Sequence, residues 1–99
     1  MNMQAMMREA QRLQKDLEKT QKELESTEYE ASSSLVKVKI NGNKELLSIE
    51  INKDDSLEKE DIEMLEDMIM IAVNEAIKKA NQDKQEKLGK YGAGLSGLI

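Results

Sequence analysis

The sequence predicts an α+β subunit of the order α-β-β-β-α, in which an antiparallel three-stranded sheet is flanked by two long helices. The order follows from a helical apolar period at the start, an alternating period in the middle and a second helical period after it. At 99 residues the chain is long enough for one domain. We expect a single helix–sheet–helix domain over residues 1–91 and a flexible Gly/Leu tail at 92–99.

The first predicted element is an amphipathic helix over about residues 2–26. Its apolar positions are spaced alternately by three and four residues through three heptads: Met3, Met6, Ala10, Leu13, Leu17, Thr20 and Leu24. Asn2 is a suitable N-cap because its side chain can accept from a free amide of the first turn. Such a seam is typical of a helix that packs against another helix.

The three strands are predicted within residues 27–52. Apolar and polar side chains alternate at 36–40 and again at 47–51, and Asn41-Gly42-Asn43-Lys44 between them is a strong hairpin signal. A weaker alternation at 27–31 predicts a third strand at the edge of the sheet. The serine run at 32–34 predicts the turn that joins this strand to the hairpin.

The second helix is predicted over about residues 56–89, with Ser56 as its N-cap. Residues 68–73 are apolar on every face, whereas a helix at a protein surface shows one apolar stripe. One sheet covers only one side of a helix, so we expect a homodimer whose interface is built from one side of this element. The expected interface residues are Leu65, Met68, Ile69, Ile71, Ala72, Val73 and Ala76.

Composition argues against an enzyme. The chain has no His and no Cys, which removes the commonest general base, the thiolate nucleophile and most transition-metal sites. Neither glycine-rich phosphate-loop motif occurs, so we expect no catalytic residue, metal, cofactor or small-molecule substrate. The sequence also lacks a membrane-length apolar run and a signal peptide, which predicts a cytoplasmic protein without membrane contact.

Charge is distributed unevenly along the chain, whose net charge is −5. Residues 53–76 carry a net −7, residues 1–26 a net 0 and residues 77–99 a net +3. The first helix has a regular row of cations, which we place next to its apolar seam, and the second helix ends in lysines. The candidate phosphate-binding residues are Arg8, Arg12, Lys15, Lys19, Lys22, Lys78, Lys79, Lys84, Lys87 and Lys90. Spacing alone leaves two readings open, a set of phosphate contacts or an ordinary solvated face.

Several segments resemble the YbaB/EbfC family of bacterial nucleoid-associated proteins. They are the hairpin residues 35–42 and 48–51 and the second-helix residues 63–67 and 72–76. The resemblance implies a tweezer-like homodimer that binds DNA in the nucleoid without enzymatic activity. The chain departs from the family where it has Asn52-Lys53 in place of a common Asp-Pro, and its tail has no proline.

The sequence is compatible with two functions. The first is a homodimeric nucleoid-associated protein that binds duplex DNA, largely through phosphates and with little sequence specificity. The chain's aromatic residues are only two tyrosines, which disfavours the base stacking used in single-strand recognition. The alternative is a non-enzymatic, dimeric protein–protein interaction module that uses the apolar helix surfaces and does not bind DNA.

Overall fold

The computed structural model describes residues 2–52, 57–89 and 91 and confirms the predicted order of elements. They are helix α1 (Met3–Ser26), strands β1 (Glu28–Ser33), β2 (Val36–Asn41) and β3 (Leu46–Ile51), a 3-10 turn (Lys59–Asp61) and helix α2 (Ile62–Gly89). The molecule is elongated, with extents of 72 × 19 × 14 Å. The predicted tail at 92–99 and the predicted N-cap Ser56 lie outside the described residues.

The three strands form an antiparallel sheet in the order β1-β2-β3, so the weakly predicted first strand is present and lies at an edge. Ala31 of β1 pairs with Val38 of β2, which pairs in turn with Ile49 of β3. The serine turn comes later than expected, because Ser33 still pairs with Val36 within the ladder. Ser34 has a positive φ of 50°, which reverses the chain there.

The turn between β2 and β3 is organised by Asn41. Its side-chain Oδ1 accepts hydrogen bonds from the backbone amides of Asn43 at 2.9 Å and Glu45 at 3.0 Å, and its carbonyl accepts from the amide of Lys44 at 2.9 Å. An asparagine side chain that satisfies amides two and four residues ahead holds a tight turn. The predicted hairpin is therefore confirmed, with one register shift between Lys39 and Ile40 close to the turn.

The core lies between α2 and the central strand. Val36, Val38 and Ile40 of β2 point to one face and are buried, and helix α2 packs on them. The helix meets the sheet through three buried alanines, Ala72, Ala76 and Ala80, spaced by four residues along one side of the helix. Small side chains at the contact let the helix backbone approach the sheet closely.

This packing corrects two residues of the predicted dimer interface. Ala72 and Ala76 have 0% exposure within a single chain, because they are covered by the strands of the same chain. They cannot also form a surface for a second copy. Because residues 68–73 have no polar face, the sequence does not show which side of the helix packs on the sheet. Ala72 and Ala76 lie on the side that does.

Helix α2 begins at Ile62, six residues after the predicted start. The Asp61 carboxylate accepts a hydrogen bond from the backbone amide of Glu58 at 2.9 Å, which closes a first turn of 3-10 type. Carboxylates near a helix N-terminus are also stabilised by the helix dipole. The acidic residues therefore define the beginning of this helix.

Helix α1 packs on the rest of the molecule only near its C-terminal end. The Asn2 side chain accepts from the amide of Gln4 at 3.1 Å, which confirms the predicted N-cap. Leu24 is buried and Leu17 half-buried, whereas every residue from 2 to 16 is exposed. The predicted helix–helix seam therefore meets α2 only over its last two turns, and the rest of α1 projects into solvent.

The anchor of α1 is a close approach to the hairpin turn at Gly42. A methyl group placed on Gly42 would overlap the backbone carbonyl oxygen of Leu24. The contact is with backbone, which cannot rotate away as a side chain can. Gly42 is thus required by the approach of helix to turn, and only glycine fits there without a shift.

We expect Gly42→Ala to lower the free energy of unfolding by more than about 1 kcal/mol, because the helix must move off the turn. Urea unfolding followed by circular dichroism measures the change. Gly89→Ala is the matched control, since a methyl group there meets nothing within 4 Å. Because alanine favours helix over glycine, the control should be stabilised by up to about 1 kcal/mol. Equal stability of the two variants would contradict the assigned contact.

Candidate nucleic-acid interface

The five cations of α1 lie along one narrow side of the helix. At about 100° per residue, they fall within a wedge of about 80°. They are Arg8, Arg12, Lys15, Lys19 and Lys22. The centre of the apolar seam lies about 170° from the centre of this wedge. The cations are therefore opposite the seam, and their predicted position beside it is wrong.

Four of these five cations are free for an external partner. Arg8, Lys15, Lys19 and Lys22 are exposed and form no hydrogen bond or ion pair with the described part of the chain. Arg12 pairs with Glu9 one turn away, and both side chains are exposed. An exposed pair of this kind contributes little and is easily exchanged for another partner. The carboxylates of α1 flank the wedge and leave its centre purely basic.

The lysines of α2 differ from those of α1, because some of them already contact other groups of the same chain. Lys79 Nζ donates to the backbone carbonyl of Glu30 in β1 at 2.7 Å, and Lys87 Nζ lies 3.1 Å from the carboxylate of Asp83. Lys84 is half-buried in a cleft, whereas Lys78 is exposed and has no partner among the described residues. Lys90 lies outside the described residues. Contacts within the chain thus occupy part of the second basic cluster.

The cleft that contains Lys84 lies between the end of α1, the hairpin turn and α2. Its volume is about 280 Å³, and its walls include Leu24, Tyr29, Gly42 and Leu88. Gln21, Glu25 and Asn43 also line the cleft, so its wall is mixed in polarity. Lys84 is therefore placed between structural elements and is set apart from the open face of α1.

Tyr29 and Asp83 tie the sheet to the projecting half of α2. The Tyr29 hydroxyl donates to the Asp83 carboxylate at 2.6 Å, and Lys87 approaches the same oxygen. Burial and this hydrogen bond raise the pKa of Tyr29 to about 12. The hydrogen bond from Tyr29, with the help of Lys87, lowers the pKa of Asp83. Sequence reasoning missed this pair because its members are 54 residues apart.

The remaining predicted interface residues form part of an apolar surface. Ile71 is 51% exposed, while Leu65, Met68, Ile69 and Val73 are half-buried against the core. Apolar side chains of β3 are exposed as well. Ile49 and Ile51 pair with residues buried under α2 and so point to the same side, yet they are 43% and 36% exposed. Helix α2 lies over β1 and β2 and leaves β3 open.

Residues 2–52, 57–89 and 91 contain no cluster of three or more metal-binding side chains. Neither helix described there has a stretch apolar enough to cross a bilayer.

Comparison with known proteins identifies the family. Residues 1–95 match the YbaB/EbfC DNA-binding family, which is nearly the whole chain. The chain belongs to this family. This confirms the resemblance seen in the hairpin and in the second helix.

Two relatives in this family carry the name nucleoid-associated protein. One from Ligilactobacillus salivarius is 40% identical over 100 residues, covering 99% of this chain and 95% of the relative. One from Staphylococcus saprophyticus is 44% identical over 66 residues, covering 67% of this chain and 62% of the relative. The second match therefore spans less than two thirds of its relative's length.

A solved structure has the same fold. The crystal structure of an uncharacterized protein from Helicobacter pylori superposes with a TM-score of 0.66 at 25% sequence identity. The match covers 87% of this chain and 91% of the other. The YbaB/EbfC helix–sheet–helix arrangement is thus shared despite low sequence identity.

The tyrosine hydrogen bond predicts a pH dependence. An unfolded tyrosine has a pKa of about 10, and the folded pKa of Tyr29 is raised to about 12, so the fold binds this proton more tightly. The stabilisation is complete below about pH 10 and is lost as the pH rises toward 12. In Tyr91→Phe protein, spectrophotometric titration should place the remaining phenol near pH 12.

Tyr29→Phe tests the same contact by stability. It should lower the free energy of unfolding at neutral pH by about 1 kcal/mol, because the Asp83 carboxylate loses a donor. The loss of stability between pH 10 and 12 should be smaller than in the parent. Ordinary titration of Tyr29 near pH 10 would contradict the contact with Asp83.

Proposed function

We propose that this chain is a homodimeric, non-enzymatic nucleoid-associated protein. It binds duplex DNA largely through phosphate contacts, with little sequence specificity. The observation that carries the proposal is the row of exposed cations on α1. This chain belongs to a DNA-binding family, which gives that row a function. We define the basic stripe as the wedge of Arg8, Arg12, Lys15, Lys19 and Lys22.

The basic stripe suits a polyanionic rod. From Arg8 to Lys22 it extends over 14 residues, or about 21 Å of helix axis. That length corresponds to about six base pairs of duplex at about 3.4 Å each. Each neutralised phosphate releases counterions, so the affinity for DNA rises as the salt concentration falls. This contribution favours binding although the chain carries a net charge of −5. The acidic surplus resides in residues 53–76, far along the sequence from the stripe.

Phosphate contacts carry little sequence information. Long, flexible lysine and arginine side chains on one exposed helix reach backbone oxygens without a fixed geometry toward base edges. Of the two tyrosines, Tyr29 is already bound to Asp83 and is unsuited to base stacking. These features support low specificity for sequence and a preference for duplex.

The homodimer is supported by the exposed apolar surface of α2 and β3. Met70 and Ile71 on the helix and Ile49 on the strand are all more than 40% exposed. β3 is also an edge strand with one unpaired side. A second copy placed there would cover apolar area that a chain of 99 residues cannot cover alone. It would also double the number of basic stripes.

The DNA contacts can be tested by salt dependence. The variant Arg8→Ala, Lys15→Ala, Lys22→Ala should weaken binding to all duplex sequences alike. Each lost phosphate contact lowers the slope of log affinity against log salt by about 0.9, so the slope should fall by at least about 2.7. Fluorescence anisotropy with short duplexes over a range of salt concentrations measures both quantities.

A control variant removes the same number of charges from lysines outside the basic stripe. It is Lys37→Ala, Lys39→Ala, Lys79→Ala, whose lysines lie on β2 and α2. Its salt slope should match that of the unmodified protein. Equal slopes for all three proteins would reject the basic stripe. Absence of binding even at low salt would favour the interaction-module alternative.

The homodimer can be tested at Ile71, which is exposed and so can be changed without opening the core. Ile71→Asp should shift the sedimentation equilibrium from dimer toward monomer, because a carboxylate would be buried in the interface. Asn74→Asp adds the same charge at a neighbouring exposed position and should remain dimeric. A folded monomer for the unmodified chain at micromolar concentration would overturn the proposal.

A further inference from the structure

The basic stripe of α1 is bordered by carboxylates on both sides. At about 100° per residue, Glu9, Asp16 and Glu23 lie about 60° to 100° from the centre of the stripe on one side. Glu18 and Glu25 lie about 80° to 100° from it on the other side. The stripe is therefore a narrow row of cations between two rows of anions.

These five carboxylates are available to act on an approaching duplex. All five residues are exposed, and only Glu9 has a partner, the exposed Arg12. The other four side chains form no hydrogen bond or ion pair with the described part of the chain. Any group that approaches α1 beside the stripe therefore meets negative charge.

An α-helix that enters the major groove touches both walls of that groove. A helix with its side chains is about 10–12 Å across, and the groove is about 12 Å wide. If the stripe faced the base edges, the two rows of carboxylates would face the phosphates of the two strands. Like charges in contact repel, so this orientation is unfavourable.

Rotation of the helix inside the groove does not remove the conflict. If the stripe faced the phosphates of one strand, the apolar seam on the opposite side of α1 would face the phosphates of the other strand. One row of carboxylates would then face the base edges. The minor groove is no alternative, because its width of about 6 Å does not admit a helix.

We propose that α1 binds duplex DNA from outside the grooves, and that its flanking carboxylates exclude it from the major groove. The inference rests on the proposed function, since it concerns how the same basic stripe is used. When α1 lies on top of the backbone, its cations point toward phosphates and its carboxylates point sideways into solvent. The base edges are then out of reach, and low sequence specificity follows from the position of the helix.

The first test compares two duplexes of the same sequence and length. In one of them every cytosine is replaced by glucosylated 5-hydroxymethylcytosine, which fills the major groove with sugar and leaves each phosphate in place. Fluorescence anisotropy at a fixed salt concentration should give Kd values for the unmodified protein that agree within about two-fold. A homeodomain is the positive control, because its third helix enters the major groove and should bind the glucosylated duplex far more weakly.

The second test removes the repulsion. Asp16 and Glu18 lie at nearly the same height on opposite sides of the stripe, so Asp16→Asn, Glu18→Gln neutralises both flanks together. The helix can then enter the groove, where its cations reach base edges. We expect this variant to bind the plain duplex at least about five-fold more tightly than the glucosylated one.

A matched control removes two carboxylates that lie far from the stripe in the sequence. It is Glu50→Gln, Glu60→Gln, at exposed positions of β3 and of the 3-10 turn. Its net charge equals that of the flank variant, so a general gain in affinity for DNA is common to both. Like the unmodified protein, it should bind the plain and the glucosylated duplex alike.

Two results would overturn this inference and leave the proposed function intact. One is binding of the unmodified protein to the glucosylated duplex that is more than about ten-fold weaker than to the plain duplex. The other is equal affinity of the flank variant for the two duplexes, which would show that the carboxylates do not exclude the helix. Absence of binding to both duplexes at low salt would reject the proposed function, and this inference with it.

Discussion

The close packing of three alanines of α2 on the central strand supports the rest of the molecule. A hairpin alone is marginal in water, and here β2 becomes stable because Val36, Val38 and Ile40 are sealed under a helix. Alanine spaced by four gives the helix a flat side, so its backbone can approach the pleated sheet. The position of α2 then determines where its second half projects and therefore where α1 can pack.

From that core the structure extends outward through a few specific contacts. Gly42 admits the end of α1, and the Tyr29–Asp83 hydrogen bond holds β1 to the projecting half of α2. Thr20 and Tyr91 meet where the two helices part. Among the described residues nothing covers α1 before residue 17. The cations of α1 are accessible because they face away from the side of the helix that carries Leu17, Thr20 and Leu24.

Local pattern was sufficient for most of the fold. The heptad seam, the two alternating runs and the Asn-Gly turn predict α1 and the hairpin because each is a short-range signal. The start of α2 was placed too early because the sequence offers Ser56, whereas the described turn is closed by Asp61. Helix phase was undetermined at 68–73, where every face is apolar, so Ala72 and Ala76 were assigned to the wrong partner. The adjacent lysines Lys78 and Lys79 cannot be told apart in the sequence. The structure distinguishes them, because Lys79 donates to a β1 carbonyl and Lys78 has no partner among the described residues.

The isolation of the first half of α1 also has a thermodynamic consequence. Residues 2–16 are all exposed in the described part of the chain, so their helicity rests on local propensity, on the Asn2 cap and on continuity with the anchored turns. Isolated helices shorter than about 12–15 residues are marginal, although an anchored end removes the nucleation cost. Residues 2–16 are therefore the part of α1 whose helix unwinds most easily on heating, and a partner bound there stabilises the helix. Part of the binding free energy then goes into ordering these residues, so affinity falls on warming faster than ion pairing alone requires.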